Sequence, residues 1–193
     1  MIRYYVTDRR QGDILATAAR AVRDGVDMIQ VREKDLPASE LLDLVCKIRD
    51  LASDTRTRVL VNDRLDVAIA AGIDGVHLPA NGLPPERVRS FVKVMGVSTH
   101  TLEDALAAEK AGADFIVFGP VFDSPGKRPV GLGPLRQVAS SVKIPVLAIG
   151  GVTTVNADEI VKAGASGIAG IRLFQSIPAE AVAEPRRVDP DFP

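Results

Sequence analysis

The sequence predicts an α/β fold, a single (β/α)8 TIM barrel with compact loops, on three observations. A four-residue phrase recurs as Asp24-Gly25-Val26-Asp27, Ala71-Gly72-Ile73-Asp74, Ala111-Gly112-Ala113-Asp114 and Ala163-Gly164-Ala165-Ser166. Each copy follows a helical pattern and precedes an apolar run, as expected where glycine takes the left-handed conformation just past a helix end. Secondly, eight short and nearly all-apolar runs read as strands covered on both faces. Thirdly, these strands alternate with helical patterns, which means a parallel sheet, and eight such units favour a closed barrel. At 193 residues the chain is slightly short for that fold, so its loops must be tight. An open doubly wound sheet, the main rival, would have fewer strands or more chain.

In order, the expected strands are 4–7, 28–32, 59–62, 75–78, 93–98, 115–119, 146–150 and 167–171. Helical patterns between them include 102–111 and 156–163. Residues 184–193 hold three prolines and alternating charge, and read as an irregular tail, which leaves 1–183 as the one domain. Thr101 and Asp104 have capping-box spacing at the start of the helix after strand 5.

Composition narrows the function classes. The 24 basic and 25 acidic side chains nearly cancel, so no global field attracts nucleic acid and any anion site must be local. No apolar run is long enough to span a membrane. The first residues read straight into a strand rather than as a signal peptide. Cys46 is the only cysteine, with a small core side chain as its expected role, and a reducing cytoplasm fits. Two histidines and one cysteine leave little scope for zinc. Barrels of this kind often form homo-oligomers through exposed helix faces, and no such face is identified.

Chemistry in this fold sits at the C-terminal ends of the strands. After strand 2 comes Gln30-Val31-Arg32-Glu33-Lys34. Alternate strand residues share a face, so Gln30, Arg32 and Lys34 should converge as one amide and two cations, suited to a phosphate or diphosphate. After strand 3, Asp63 either caps a helix or holds a hard cation such as Mg2+. Arg64 and Asp66 decorate that helix or pair with each other. His77 reads as a satisfied core histidine. Beyond strand 5, Ser98 and His100 would lie above the barrel mouth, where a histidine can exchange protons near neutral pH. The long loop after strand 6 carries Ser124-Pro125-Gly126-Lys127, able to wrap a phosphate or to act as a mobile lid. Gly150-Gly151 and Gly170-Ile171-Arg172 close strands 7 and 8, the usual phosphate corner of such a barrel.

Taken together these pieces resemble the thiamine phosphate synthase/TenI superfamily over essentially the whole chain. The matching motifs are Tyr-Val-Thr-Asp at 5–8, Gln-Val-Arg-Glu-Lys at 30–34, Asn-Asp-Arg at 62–64 and Asp-Gly-Val-His-Leu at 74–78. Gly-Val-Ser-Thr-His at 96–100, Gly-Pro-Val-Phe at 119–122 with Lys127, and Ala-Ile-Gly-Gly-Val at 148–152 complete them. The resemblance implies an enzyme that joins hydroxymethylpyrimidine diphosphate to thiazole phosphate with release of diphosphate. It implies Gln30, Arg32, Lys34, Asn62 and Lys127 as ligands of the diphosphate substrate, Asp63 as a magnesium ligand, and Ser98 beside the pyrimidine diphosphate. Ser124, Gly151 and Ile171 would border the thiazole phosphate, with Arg172 as an added grip. His100, Lys127 and Arg32 are the residues expected to take part in the chemistry.

Three positions depart from the synthase pattern. A second magnesium aspartate is usual where this chain has Gly82, the Ser124–Lys127 loop lacks one hydroxyl, and Arg172 replaces a serine. The His-Leu-Pro segment at 77–79 looks more like the TenI branch, a metal-independent thiazole tautomerase whose acid/base histidine matches His100. Synthase and tautomerase both stay open, as do another phosphate-binding barrel enzyme and a non-catalytic ligand-binding barrel.

Overall fold

A computed structural model describes residues 1–175. The expected boundary at 183 and the tail 184–193 lie outside the described residues. Eight parallel strands close into a barrel in sequence order: β1 Ile2–Val6, β2 Met28–Val31, β3 Arg58–Asn62, β4 Gly75–Leu78, β5 Val94–Thr99, β6 Phe115–Phe118, β7 Val146–Ala148 and β8 Gly167–Gly170. Closure is direct, since β1 pairs with both β2 and β8. The helices are α1 Ile14–Arg23, α2 Ala38–Ala52, α3 Leu65–Ala71, α4 Pro85–Val88, α5 Leu102–Lys110, α6 Leu132–Ser141, α7 Ala157–Lys162 and α8 Arg172–Gln175.

The recurring phrase does the work expected of it. Gly25, Gly72, Gly112 and Gly164 all have positive φ, at 69°, 64°, 86° and 94°, and each lies one turn before a strand. Thr101 and Asp104 form a complete capping box on α5. Strand 7 is shorter than expected. It stops at Ala148 because Gly150 and Gly151 leave the extended region, with φ of 94° and 63°.

Strand alternation divides the core in two. Tyr4, Met28, Leu60, Val94, Phe115, Val117, Leu147 and Ala169 fill the barrel interior. Their outward neighbours, among them Tyr5, Ile29, Val61, Val76, Ile116, Ala148 and Ile168, pack under the helices. This parity positions the site. The inward face of β2 runs Met28, Gln30, and the same face of β3 runs Leu60, Asn62. Polar side chains thus begin where the interior stack ends, at the C-terminal rim. Cys46 is partly buried against the outer core, as its helical pattern suggested.

Candidate active site

One cavity of about 850 Å3 opens at the C-terminal ends of the strands, within the range of small-molecule sites. Its walls are the inward positions of the barrel carried one or two residues past the strands. Gln30, Arg32 and Lys34 all line it, so the alternation read in the sequence holds beyond the end of β2. Asn62, Ser98, His100, Ser124, Lys127, Gly151, Ile171 and Arg172 line it as well. Every expected substrate-binding residue therefore reaches one space.

Charge sets the ligand class. Among the described residues Arg10, Arg32, Lys34, Lys127 and Arg172 face the cavity, against a single carboxylate, Asp123. A local surplus of cations in a near-neutral chain selects an anion.

The clamp is held from behind. Thr7 is fully buried and its hydroxyl donates to Glu33 Oε1 at 2.5 Å. The same Thr7 oxygen accepts the Arg32 amide at 2.9 Å. Glu33, also buried, accepts the Arg9 amide through Oε2 at 3.1 Å. So the acid on the outward face of the clamp is a buried anchor, and the cations flanking it in sequence are its payload.

The β6–α6 loop is shaped by a tight turn. The Lys127 amide donates to the Ser124 carbonyl at 3.0 Å, and Gly126 has φ of 72°. Proline second and a positive-φ glycine third is the type II turn signature. The loop is stapled at its base, where Val130 donates to Pro120 at 2.8 Å and Gly131 to Val121 at 3.0 Å. Gly150 and Gly151 let this loop lie directly on the end of β7. A Cβ on Gly151 would sit 2.6 Å from the Asp123 carbonyl, and one on Gly150 would overlap Pro120.

His100 and His77 differ in kind. His100 is exposed, and its Nδ1 lies 2.5 Å from the Gly119 carbonyl. A carbonyl only accepts, so Nδ1 is the protonated nitrogen and Nε2 is left for the cavity. His77 is 2% exposed and is the satisfied core histidine expected, but it also touches the site. Its Nε2 lies 2.8 Å from Ser98 Oγ and its Nδ1 lies 3.4 Å from Tyr4 Oη. Burial, with Arg32 adding repulsion, pushes His77 down to about 3, so its ring is neutral at physiological pH.

Asp63 stands apart. It is absent from the cavity walls, as the outward neighbour of Asn62, and it is exposed. It is also the one described non-glycine residue with positive φ, at 63°. It does not cap α3, whose N-cap is Arg64 and has no side-chain cap bond. Arg64 and Asp66 pair with each other at 2.6 and 2.8 Å. The Asp63 carboxylate faces the β4–α4 turn, where a Cβ on Gly82 would lie 2.9 Å from Oδ1. Among the described residues no group of three His, Cys, Asp or Glu gathers to hold a metal. Mg2+ bound to a substrate diphosphate needs only one or two protein carboxylates, and Asp63 can supply one.

Sequence reasoning missed Arg10, Gln11, Asn81 and Thr153 on the cavity wall, and it left Asp123 unused. Arg10 and Gln11 are held by Asp8, which receives Arg10 Nε at 2.8 Å and Gln11 Nε2 at 2.9 Å. The Arg10 guanidinium holds the Asp8 carboxyl well below the usual carboxylate range. The available signal was Asp8, an acid two residues past β1 that caps the short helical turn Arg9–Gln11.

The chain matches the family described as thiamine monophosphate synthase over residues 3–174. A protein of Geobacter sulfurreducens, provisionally named a thiamine-phosphate synthase, is 44% identical over 185 residues, covering 91% of this chain and 87% of that one. The thiamine-phosphate synthase of Roseiflexus sp. strain RS-1 is 39% identical, covering 91% of this chain and 78% of that one. Among solved structures, the thiamine phosphate pyrophosphorylase of Pyrococcus furiosus superposes with a TM-score of 0.84 at 36% identity, covering 91% of both chains. With a family match across nearly the whole described barrel and a shared fold at that identity, the chain belongs to the thiamine monophosphate synthase family.

Proposed function

We propose that this protein is a thiamine-phosphate diphosphorylase, joining hydroxymethylpyrimidine diphosphate to thiazole phosphate and releasing diphosphate. One observation carries the reading: the cations Arg32, Lys34 and Lys127 converge with the inward amides Gln30 and Asn62 on one cavity. The amides suit a ring deep in the barrel, and the cations suit a diphosphate at the rim.

In the reaction the C–O bond to the diphosphate breaks, the thiazole nitrogen forms a C–N bond to the same carbon, and the electron pair leaves on the diphosphate oxygen. Negative charge grows on the departing group, so fixed cations stabilise the transition state more than the substrate. Arg32 is the best preorganised of the three, since its backbone is held by Thr7. Ser124, Gly151, Ile171 and Arg172 border the second phosphate corner, where thiazole phosphate would sit. A Mg2+ bound to the diphosphate would add charge neutralisation, with Asp63 as its protein ligand. The single cysteine fits a reducing cytoplasm, and no described helix is long and apolar enough to cross a membrane.

A second reading, a metal-independent thiazole tautomerase, draws on His100. Its Nδ1 is engaged and its Nε2 is available to exchange a proton. The deciding assay offers the chain both reactions: thiamine phosphate formation from the two phosphorylated precursors, and isomerisation of a thiazole carboxylate phosphate without metal. The first is expected to turn over. Binding of the precursors with neither turnover would defeat both readings.

A further inference from the structure

We infer that His77 is a positioning residue: its ring fixes the Ser98 hydroxyl as a hydrogen-bond donor into the cavity, so the ligand atom met there is an acceptor. The inference deepens the synthase reading only in naming the ligand; the direction of the hydrogen bonds is a property of the free protein.

A continuous polar chain crosses the barrel interior. Gln30 Nε2 donates to Tyr4 Oη at 3.0 Å, Tyr4 Oη lies 3.4 Å from His77 Nδ1, and His77 Nε2 lies 2.8 Å from Ser98 Oγ. Tyr4 is fully buried, and no other acceptor among the described residues lies within hydrogen-bond reach of its hydroxyl. Gln30 Nε2 can only donate to it, so its proton goes to His77 Nδ1, because a buried donor without an acceptor is costly. A neutral imidazole with Nδ1 accepting carries its proton on Nε2. That proton goes to Ser98 Oγ, and the serine hydroxyl is left to donate outward. Such a chain is polarised end to end, and it leaves Gln30 Oε1 as the acceptor at its other end.

The ring has little freedom to do otherwise. His77 pairs in register with Gly96, where a Cβ would lie 2.7 Å from Nδ1 and would overlap Phe115. A strand glycine of this kind marks close approach of a neighbour. Tyr4 and Phe115 flank the imidazole with ring centroids at 5.8 and 6.0 Å.

The shared chemistry at Ser98 is an acceptor atom, either a ring nitrogen of the pyrimidine or a diphosphate oxygen. Three measurements test the assignment. Two-bond 1H–15N spectra of 15N-histidine-labelled protein, without ligand, are expected to show His77 protonated on Nε2. The chain has two histidines, so a His100→Gln sample assigns the peaks. Protonation on Nδ1 would overturn the proposal by reversing the chain. Secondly, Ser98→Ala and His77→Gln are each expected to lower kcat/KM roughly tenfold, and the double variant to be no worse than Ser98→Ala alone. Multiplying losses would show that His77 acts independently of Ser98. Thirdly, calorimetry compares Ser98→Ala with the native chain using inorganic diphosphate and hydroxymethylpyrimidine diphosphate. Weakening of both supports a phosphate acceptor, and weakening of the second alone supports a ring nitrogen. Unchanged binding of both contradicts the inference. If His77→Gln fails to fold, the spectra and the Ser98→Ala calorimetry still decide, and they do so whether or not the synthase reaction is observed.

Discussion

The Thr7 hydroxyl donates to Glu33 at 2.5 Å while accepting the amide of Arg32 at 2.9 Å, so one buried hydroxyl ties β1 to the clamp at the end of β2. Thr7→Val keeps the shape and removes both bonds. It is expected to cost about 1–3 kcal/mol of stability, because the buried Glu33 loses a partner. It should also raise KM for the diphosphate substrate by loosening Arg32. Urea unfolding and steady-state kinetics check the two effects separately.

Removing the clamp charges should act on the leaving group. Arg32→Ala, which deletes a half-buried charge-assisted contact, is expected to reduce kcat/KM by roughly 10- to 150-fold. Lys34→Ala and Lys127→Ala should lower it less, since both sides of the cavity there are open to solvent. The comparison is a set of kcat/KM values at low and high salt, and all three losses should shrink as salt rises.

Gly82 lies against the Asp63 carboxylate, with a Cβ there falling 2.9 Å from Oδ1 and 2.8 Å from Pro79 Cδ. Gly82→Asp would place a second acid beside the first. The variant should bind Mg2+ more tightly in the presence of diphosphate, and it should unfold at lower urea because the Pro79 ring must move aside. Calorimetry with Mg2+ and diphosphate reads the first outcome. Unchanged metal affinity would mean that Asp63 is not positioned to share a cation.

Acid should destabilise the fold through His77 before the carboxylates contribute. Its folded pKa is held near 3 by burial, against about 6.5 when unfolded. Between those values the unfolded chain binds a proton that the folded chain refuses. The stability is fully present above pH ~6.5 and falls by about 1.4 kcal/mol per pH unit on acidification. Asp8, whose pKa is lowered by Arg10, loses its contribution only below the usual unfolded carboxylate value of about 4. Urea midpoints at pH 7 and 4.5 isolate the histidine. His77→Gln should flatten that difference.

How legible this site was in the sequence depended on periodicity. Gln30, Arg32 and Lys34 were readable as one face because strand alternation carries past the last ladder bond of β2. Ser98 and Asn62 follow the same rule on β5 and β3. Gly150 and Gly151 were readable as a tight turn, and their positive φ explains why β7 ends at Ala148, two residues before the expected limit. Arg10 sits in a single helical turn, and Asn81 and Thr153 sit in loops, all too short to carry a period, so nothing in their spacing pointed to the cavity. Asp63 shows the limit from the other side. Its residue type suggested a cap or a metal ligand, and its left-handed backbone turns the carboxylate off α3 and toward Gly82, in the turn whose Pro79, Ala80 and Asn81 line the cavity. His77 was readable as core, whereas its bond to Ser98 required the register of β4 on β5.

In the proposed reaction the clamp drives departure of diphosphate. The most direct measurement mixes purified protein, hydroxymethylpyrimidine diphosphate and thiazole phosphate with and without Mg2+, and follows thiamine phosphate and released diphosphate together. Equal amounts of both products are expected, more with Mg2+, with a large loss in Arg32→Ala. No thiamine phosphate at any magnesium concentration, with metal-free isomerisation of a thiazole carboxylate phosphate that disappears in His100→Ala, would contradict it.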